Sequence, residues 1–273
     1  MPEWLKDMLT GTDLFEAAAQ LWNSCTNITY SLLGVSPTGG QFSNIWNTIS
    51  NLYDFFLIVG TSLMVLFFAI GFCRDNLNIR ESLNMEQTVK MFFRLILTSA
   101  VITGGMPLMQ SFFKSAVALV GLTQKMEMSV NVDSLTEAFS DLYLVGFLVA
   151  LIFWLFCAAC GIILITSVTS RFMKLYMIIP IAPVALSSFA GGGALNHTAA
   201  AWIKTFFAYT FEIVIIGIVL MISGAFISSS VFFETGEGFA GGCLALMDIV
   251  LKITVVVGSV KGAEATLQKA LGL

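Results

Sequence analysis

The chain has 273 residues, 57% of them hydrophobic and 11% charged, with a mean hydropathy of +0.89. Soluble domains carry about 25% charged residues, so a water-soluble fold that hides this apolar surface is excluded and a polytopic membrane protein is expected. The net charge of −4 and isoelectric point near 5.0 exclude a surface built as a whole to grip nucleic acid, while leaving room for a local basic patch.

From Asp13 to Leu33 apolar residues recur at helical spacing (Leu14, Ala18, Leu21, Trp22, Cys25 and Leu32), with Glu16, Gln20, Asn23 and Asn27 off the stripe. Asp13 followed by Glu16 resembles a capping box. The segment is too polar to span and is expected to lie on the membrane or on a partner subunit. Nothing before it reads as a basic n-region followed by an apolar h-region, so insertion is expected to depend on internal spans. The stretch from Gly34 to Gly40 ends the helix.

A second helix is expected from Gln41. Phe42, Ile45, Trp46, Ile49, Leu52, Tyr53 and Phe56 form its stripe, and Trp46 and Tyr53 suit an interfacial aromatic belt. At Phe55 this lead-in becomes fully apolar. Phe55 to Phe72 is a charge-free run of eighteen residues, about 27 Å of helix against a hydrocarbon layer of ~30 Å.

Arg74 to Lys90 reads as a polar loop. A short second span runs from Lys90 to Thr103 and is broken by Gly104, Gly105 and Pro107. Leu108 to Leu122 reads as an interfacial or re-entrant piece, and Lys125 to Asp141 as a polar connection. The third span, Leu142 to Thr169, is followed by Arg171 and Lys174. Next comes the apolar run Leu175 to Ser188, interrupted by Pro180 and Pro183, and a hinge at Gly191, Gly192 and Gly193. The fourth span is Ala199 to Ile227 and the fifth Phe239 to Val260, with Ser228 to Gly238 as the loop between them.

Basic residues favour the cytoplasmic side. Arg74, Arg80, Lys90 and Arg94 flank the first two spans, Arg171 and Lys174 follow the third, and Lys261 and Lys269 lie in the tail. Five spans satisfy this alternation with the N-terminus outside and the C-terminus in the cytoplasm. It leaves Leu108 to Leu122 and Leu175 to Ser188 as non-spanning. The expected fold class is all-α: a polytopic membrane helical bundle of about five transmembrane helices, with amphipathic N-terminal helices and a Pro-broken cytoplasmic-side hairpin. The expected divisions are residues 1–54 for the outer-face helices, 55–260 for the bundle and 261–273 for the tail.

Charges inside the membrane are costly and point to function. Glu212 lies within the fourth span; Asp248 and Lys252 lie in the fifth, four apart and on one face. They read either as an ion-coupling site or as structural pairs, Asp248 with Lys252 and Glu212 with a basic neighbour. No catalytic constellation, metal cluster or cofactor motif stands out. His197 is the single histidine, and a zinc site needs several N or S ligands together. Cys157 and Cys160 sit in an apolar run and read as buried thiols. The Gly191 to Gly193 stretch lacks the Lys-Ser/Thr ending of a phosphate loop.

The block from Arg171 through Lys174, Pro180 and Pro183, followed by the glycine turn and Trp202-Ile203-Lys204, resembles the central part of the TrbL-like polytopic inner-membrane subunits of type IV secretion systems. At the level of topology the resemblance covers most of the chain, and at the level of residues Arg171 to Lys204. It implies a non-enzymatic channel or scaffold subunit in the bacterial cytoplasmic membrane, surrounded by lipid and forming a homo-oligomeric ring. Its implied partners are other secretion subunits, including cytoplasmic ATPases, and single-stranded DNA in transit. On that view Arg171, Lys174 and Lys204 form a basic cytoplasmic lip able to meet a phosphate backbone; otherwise they are positive-inside anchors at lipid headgroups. The competing expectation is a secondary transporter or small-solute channel using Glu212, Asp248 and Lys252. Against it, no inverted repeat of spans is visible.

Overall fold

The computed structural model describes residues 11–77, 85–123, 128, 130–139, 143–229, 232–233, 238–270 and 272. Among these the regular structure is entirely helical: α1 (Thr12–Leu33), α2 (Ser43–Leu77), α3 (Met85–Thr103), α4 (Gly105–Gly121), α5 (Asp133–Phe139), α6 (Tyr143–Ser187), α7 (Asn196–Ser229) and α8 (Gly238–Ala270). Parts of α2, α6, α7 and α8 are long and apolar enough to cross a membrane. The bent pair α3–α4 raises four candidate spans to five if it counts as one. The protein is therefore an all-α helical bundle of the multi-pass membrane type.

Two compact units form. One draws on Met1–Gly34, Val120–Ser170 and Ile213–Thr266, the other on Val35–Leu119, Arg171–Glu212 and Leu267–Leu273. These differ from the 1–54, 55–260 and 261–273 divisions because hydropathy sorts residues by polarity along the chain, whereas the units are sorted by packing.

In the first unit α1 packs along α6. The helix begins at Gly11, whose φ of 75° puts it in the left-handed region and which makes no side-chain cap. A Cβ there would lie 2.7 Å from Ala150 Cβ, so glycine is required both by conformation and by the closeness of α6. The expected capping box is thus not formed: the helix starts one residue before Asp13, which occupies the first turn. Further along, a Cβ on Gly161 would meet Cys25 Sγ at 2.5 Å, which marks a second close approach. The buried face is Phe15, Ala18, Ala19, Trp22, Cys25, Thr26, Thr29 and Leu33, rotated from the expected stripe. Thr26 and Thr29 can be buried because their hydroxyls donate to the carbonyls of Asn23 (2.9 Å) and Cys25 (2.7 Å). The Trp22 indole donates to the Met128 carbonyl at 2.9 Å, and Phe15 packs on Phe139 and Phe153. Helix α5, which supplies Phe139, falls in the segment expected to be a polar connection. Its first N–H, on Asp133, is held by Asn131 Oδ1 at 2.8 Å.

The second unit is built on α2. Trp46, Ile49 and Tyr53 bury one side of its N-terminal half, while Ile45 and Leu52 from the expected stripe are exposed. The α3–α4 connection bends by 65° at Gly104. Pro107 removes a helical donor there, and the Tyr53 hydroxyl donates to the Ile102 carbonyl at 2.6 Å. Gly105 accommodates the same tyrosine: a Cβ on it would overlap the Tyr53 hydroxyl.

The largest departure from expectation concerns α6. Leu142 to Thr169 and Leu175 to Ser188 were expected to be a span and a separate broken piece; Tyr143–Ser187 is instead one helix of 45 residues with Pro180 and Pro183 inside it, Leu142 lying outside the described residues. At 1.5 Å per residue it is about 67 Å long, more than twice the ~30 Å hydrocarbon layer. Neighbours make the prolines tolerable, as buried helix irregularities require. The backbone of Gly60 on α2 lies against Pro183, where a Cβ would come within 2.6 Å of the Pro183 carbonyl carbon. The Trp202 indole of α7 donates to the Ile178 carbonyl at 3.0 Å. The hairpin is present, but its turn falls at Ser188–Gly191 and Gly193–Leu195, beyond the prolines.

Within this unit the C-terminal part of α6 runs parallel to α2. The rings of Phe42 and Phe172 are 4.5 Å apart, Gly60 meets Pro183, and a Cβ on Gly71 would lie 2.5 Å from the Gly191 carbonyl oxygen. The charge alternation had set Arg171 at the membrane face opposite Phe42. Packing instead sets it beside the start of α2, because the apolar run after Lys174 continues as helix alongside the span that begins near Phe42.

Candidate functional site

Two places in the second unit gather polar groups that an apolar helix bundle would otherwise exclude. The first lies where α6 and α7 face each other. Arg171 and Lys174 are three residues apart on α6, as are Tyr209 and Glu212 on α7, so each pair shares a helix face. Lys174 Nζ lies 3.8 Å from Glu212 Oε1 and 5.5 Å from the centre of the Tyr209 ring. Arg171 is 2% exposed and Glu212 3%. The Arg171 guanidinium lies 4.3 Å from the centre of the Phe172 ring and interacts electrostatically with Glu212, but its Nε and Nη2 make no hydrogen bond. Tyr176, one helical turn beyond, donates to the Pro37 carbonyl at 2.8 Å.

Two cations thus share one carboxylate inside an aromatic setting. Removing two charges from water costs several kcal/mol each unless pairing and hydrogen bonding offset it; a planar guanidinium lowers that cost by stacking on an aromatic face.

The expected basic lip does not assemble. Arg171 is buried and Lys174 is held at Glu212, whereas Lys204 is exposed. Arg171 lies sixteen residues before Ser187 in an unbroken helix, about 24 Å from its end, so it cannot border the turn as a helix broken at Pro180 would have allowed.

The intramembrane charges sort into separate pairings. Glu212 faces Lys174 in the second unit. In the first, Lys252 Nζ lies 2.8 Å from Asp248 Oδ2 one turn earlier, and Asp248 Oδ1 accepts the Phe232 N–H at 2.8 Å. Asp248 therefore ties the backbone before α8 to that helix while neutralising Lys252.

The second place is the glycine turn between α6 and α7. Gly192 and Gly193 have φ of 63° and 52°, in the region where an L side chain is strained. Both lie beneath arginines. A Cβ on Gly192 would overlap the Arg94 guanidinium, and one on Gly193 would lie 2.6 Å from Arg74 Nη2. Arg74 Nη2 also donates to the Gly191 carbonyl at 3.4 Å. Ser188 Oγ accepts the Ala199 N–H at 3.1 Å and so caps the start of α7. In the sequence Arg74 and Arg94 stand out only by the sign of their charge. Three consecutive glycines were the available signal that something bulky approaches this turn, but the identity of the visitor depends on packing.

Among the described residues no three His, Cys, Asp or Glu side chains converge as metal ligands would. His197 is exposed in the first turn of α7, and Cys157 and Cys160 are buried free thiols. Fold and site together define a multi-pass, all-α membrane protein with a buried charge cluster and an arginine-covered glycine turn. Comparison with protein-family models, with curated proteins and with solved structures gives no match for this chain.

Proposed function

We propose that the protein is a channel or scaffold subunit of a conjugative type IV secretion system. It forms a homo-oligomeric ring in the bacterial cytoplasmic membrane, through which single-stranded DNA and attached protein pass outward from cytoplasmic ATPases. The observation that carries this reading is the packing of Arg171 to Lys204, the block that resembles TrbL-like subunits. Its parts interlock: the Pro-containing end of α6, the glycine turn, and the start of α7, where Trp202 donates to the Ile178 carbonyl. The exposed apolar residues of α2, among them Ile45, Leu52, Phe55 and Ile58, offer surface to lipid and to sister subunits.

The positive-inside rule sets the orientation in this reading. Arg74 and Arg94 mark the cytoplasmic end of the second unit, the start of α2 faces outward, and the chain ends in the cytoplasm. Lys204, exposed near that end, is the residue of the former lip that remains available to cargo. The pairing of Asp248 with Lys252 and of Glu212 with Lys174 favours structural roles for these groups over a transporter's coupling site.

Conjugation tests the proposal. Deleting the gene from its host should abolish transfer of the mobile element, a wild-type copy supplied in trans should restore it, and cross-linking in membranes should yield a ladder ending at a closed ring. Undiminished transfer by the deletion strain would overturn it.

A further inference from the structure

In the first unit α1 runs alongside the first part of α6 and in the same direction. Gly11 lies against Gly146, Phe147 and Ala150, the rings of Phe15 and Phe153 are 6.0 Å apart, and Cys25 lies against Gly161. The middle of α1, from Glu16 to Ser24, is therefore level with the stretch of α6 between Phe153 and Gly161. At this level the two helices turn opposite chemistry outward. The sequence from Leu142 to Ser170 holds no charged side chain, and α6 exposes Leu148, Ile152, Leu155 and Ile162. Large aliphatic side chains recurring along a charge-free helix need lipid around them. Helix α1 instead exposes Asp13, Glu16, Gln20, Ser24, Asn27 and Ser31. At 3.6 residues per turn these six fall within an arc of about 80°, opposite the buried face, with exposed Ile28 at the edge of the arc. With 22 residues, α1 is about 33 Å long, close to the ~30 Å of the hydrocarbon layer. Headgroups at its ends cannot solvate the middle of the stripe, and polar side chains at membrane depth face a protein interior or a wet cavity.

We propose that α1 lines a water-filled passage at membrane depth, with Glu16, Gln20, Ser24 and Asn27 as its wet wall, and that the same face of sister subunits closes the passage. The occupant is water, which the amides and hydroxyls of the stripe and the carboxylates of Asp13 and Glu16 can hydrogen-bond. Helix α1 stays in the layer because its other face is anchored on α6: Phe15, Ala18, Trp22 and Cys25 are buried, and the Gly11 and Gly161 approaches bring the two backbones close. Its length suits a span and its composition does not, because the outward face is solvated from the passage rather than by lipid. Closure by sister subunits rests on the homo-oligomer proposed above; the wet face rests on the packing of α1 against α6.

Cysteine labelling of the full chain in membranes opened to both sides tests the proposal, with Cys73 and Cys243 replaced by serine and a charged, lipid-insoluble thiosulfonate as the probe. Thiosulfonates react with thiolate, which forms in water and not in hydrocarbon. Gln20→Cys, Ser24→Cys and Asn27→Cys should therefore label at least on the order of tenfold faster than Ile152→Cys, Leu155→Cys and Ile162→Cys at the same levels. Ser24→Cys exchanges one exposed oxygen for sulfur, so it carries the test should another variant fail to fold. Fast labelling at both sets would put this part of α6 in water and make α1 a surface helix. Slow labelling at both would mean that lipid or protein covers the stripe. Either result overturns the proposal, as does slow labelling at Ser24→Cys alone. The cross-linked ladder is read separately: a closed ring with slow labelling refutes the wet wall and leaves the ring, whereas fast labelling without a ring refutes closure by sister subunits.

Discussion

Replacing Glu212 by glutamine leaves the shape of α7 almost unchanged and removes the carboxylate facing Arg171 and Lys174. At the 3.8 Å separation of Lys174 and Glu212, Coulomb's law with an effective dielectric constant of ~20 gives an attraction of about 4 kcal/mol. Arg171, fully enclosed, adds to it. Breaking a buried pair from one side typically costs ~3–5 kcal/mol, because the orphaned charge stays out of water. Glu212→Gln should therefore lower stability by about 3 kcal/mol, measured by reversible unfolding with sodium dodecyl sulfate in mixed micelles. Arg171→Met on its own is expected to be mild, since it removes a cation whose Nε and Nη2 have no hydrogen-bond partner. In the double variant Arg171→Met/Glu212→Gln much of the loss should be recovered, because one buried cation and the carboxylate leave together. If Glu212→Gln is as stable as wild type, or if the double variant loses the sum of two separate penalties, the charge cluster is not an electrostatic unit and the reasoning fails.

Gly60→Ala should destabilise the protein by ~1–3 kcal/mol through overpacking against Pro183, while Gly258→Ala, with open space around its Cβ, should be neutral; thermal unfolding in detergent separates the two. Tyr53→Phe leaves the Ile102 carbonyl at the α3–α4 bend without its 2.6 Å donor and should cost about 1–3 kcal/mol in the same assay. A maleimide should modify exposed Cys73 quickly and spare Cys25, Cys157 and Cys160. Burial raises the Cys25 thiol above its ordinary range, so less thiolate is present at pH 8 and its labelling should speed up only when α1 is unfolded. With a membrane-impermeant reagent, Cys73 should react only after the cytoplasmic side is opened, and labelling of intact cells would reverse the proposed orientation.

The helical character of the chain and its membrane class were legible because they depend on summed properties: long charge-free runs cannot be solvated by water and cannot leave backbone groups unpaired in lipid. The pairing of Asp248 with Lys252 was equally legible, since spacing along one helix decides it. Other features depended on neighbours distant in sequence. Leu14 and Phe15 are comparably apolar, and α6 selects between them through Ala150 and Phe153 as the surfaces that α1 must fit. Pro180 and Pro183 read as a break because proline costs helix stability in isolation. Their tolerance is supplied by Gly60, more than a hundred residues earlier, and by Trp202. The arginine-covered turn was invisible for the same reason: three glycines announce free space, but not that Arg74 and Arg94 fill it.

By itself, then, the sequence determined the solvent of this protein, its all-α class and the local pairings along single helices, since each follows from the chemistry of nearby residues. Tertiary structure alone decided that α6 continues through its prolines, that Arg171 is buried beside the start of α2, and that two arginines meet over Gly192 and Gly193. Those outcomes rest on contacts between segments whose closeness no local preference encodes, and whose free energies exceed the local preferences that they override.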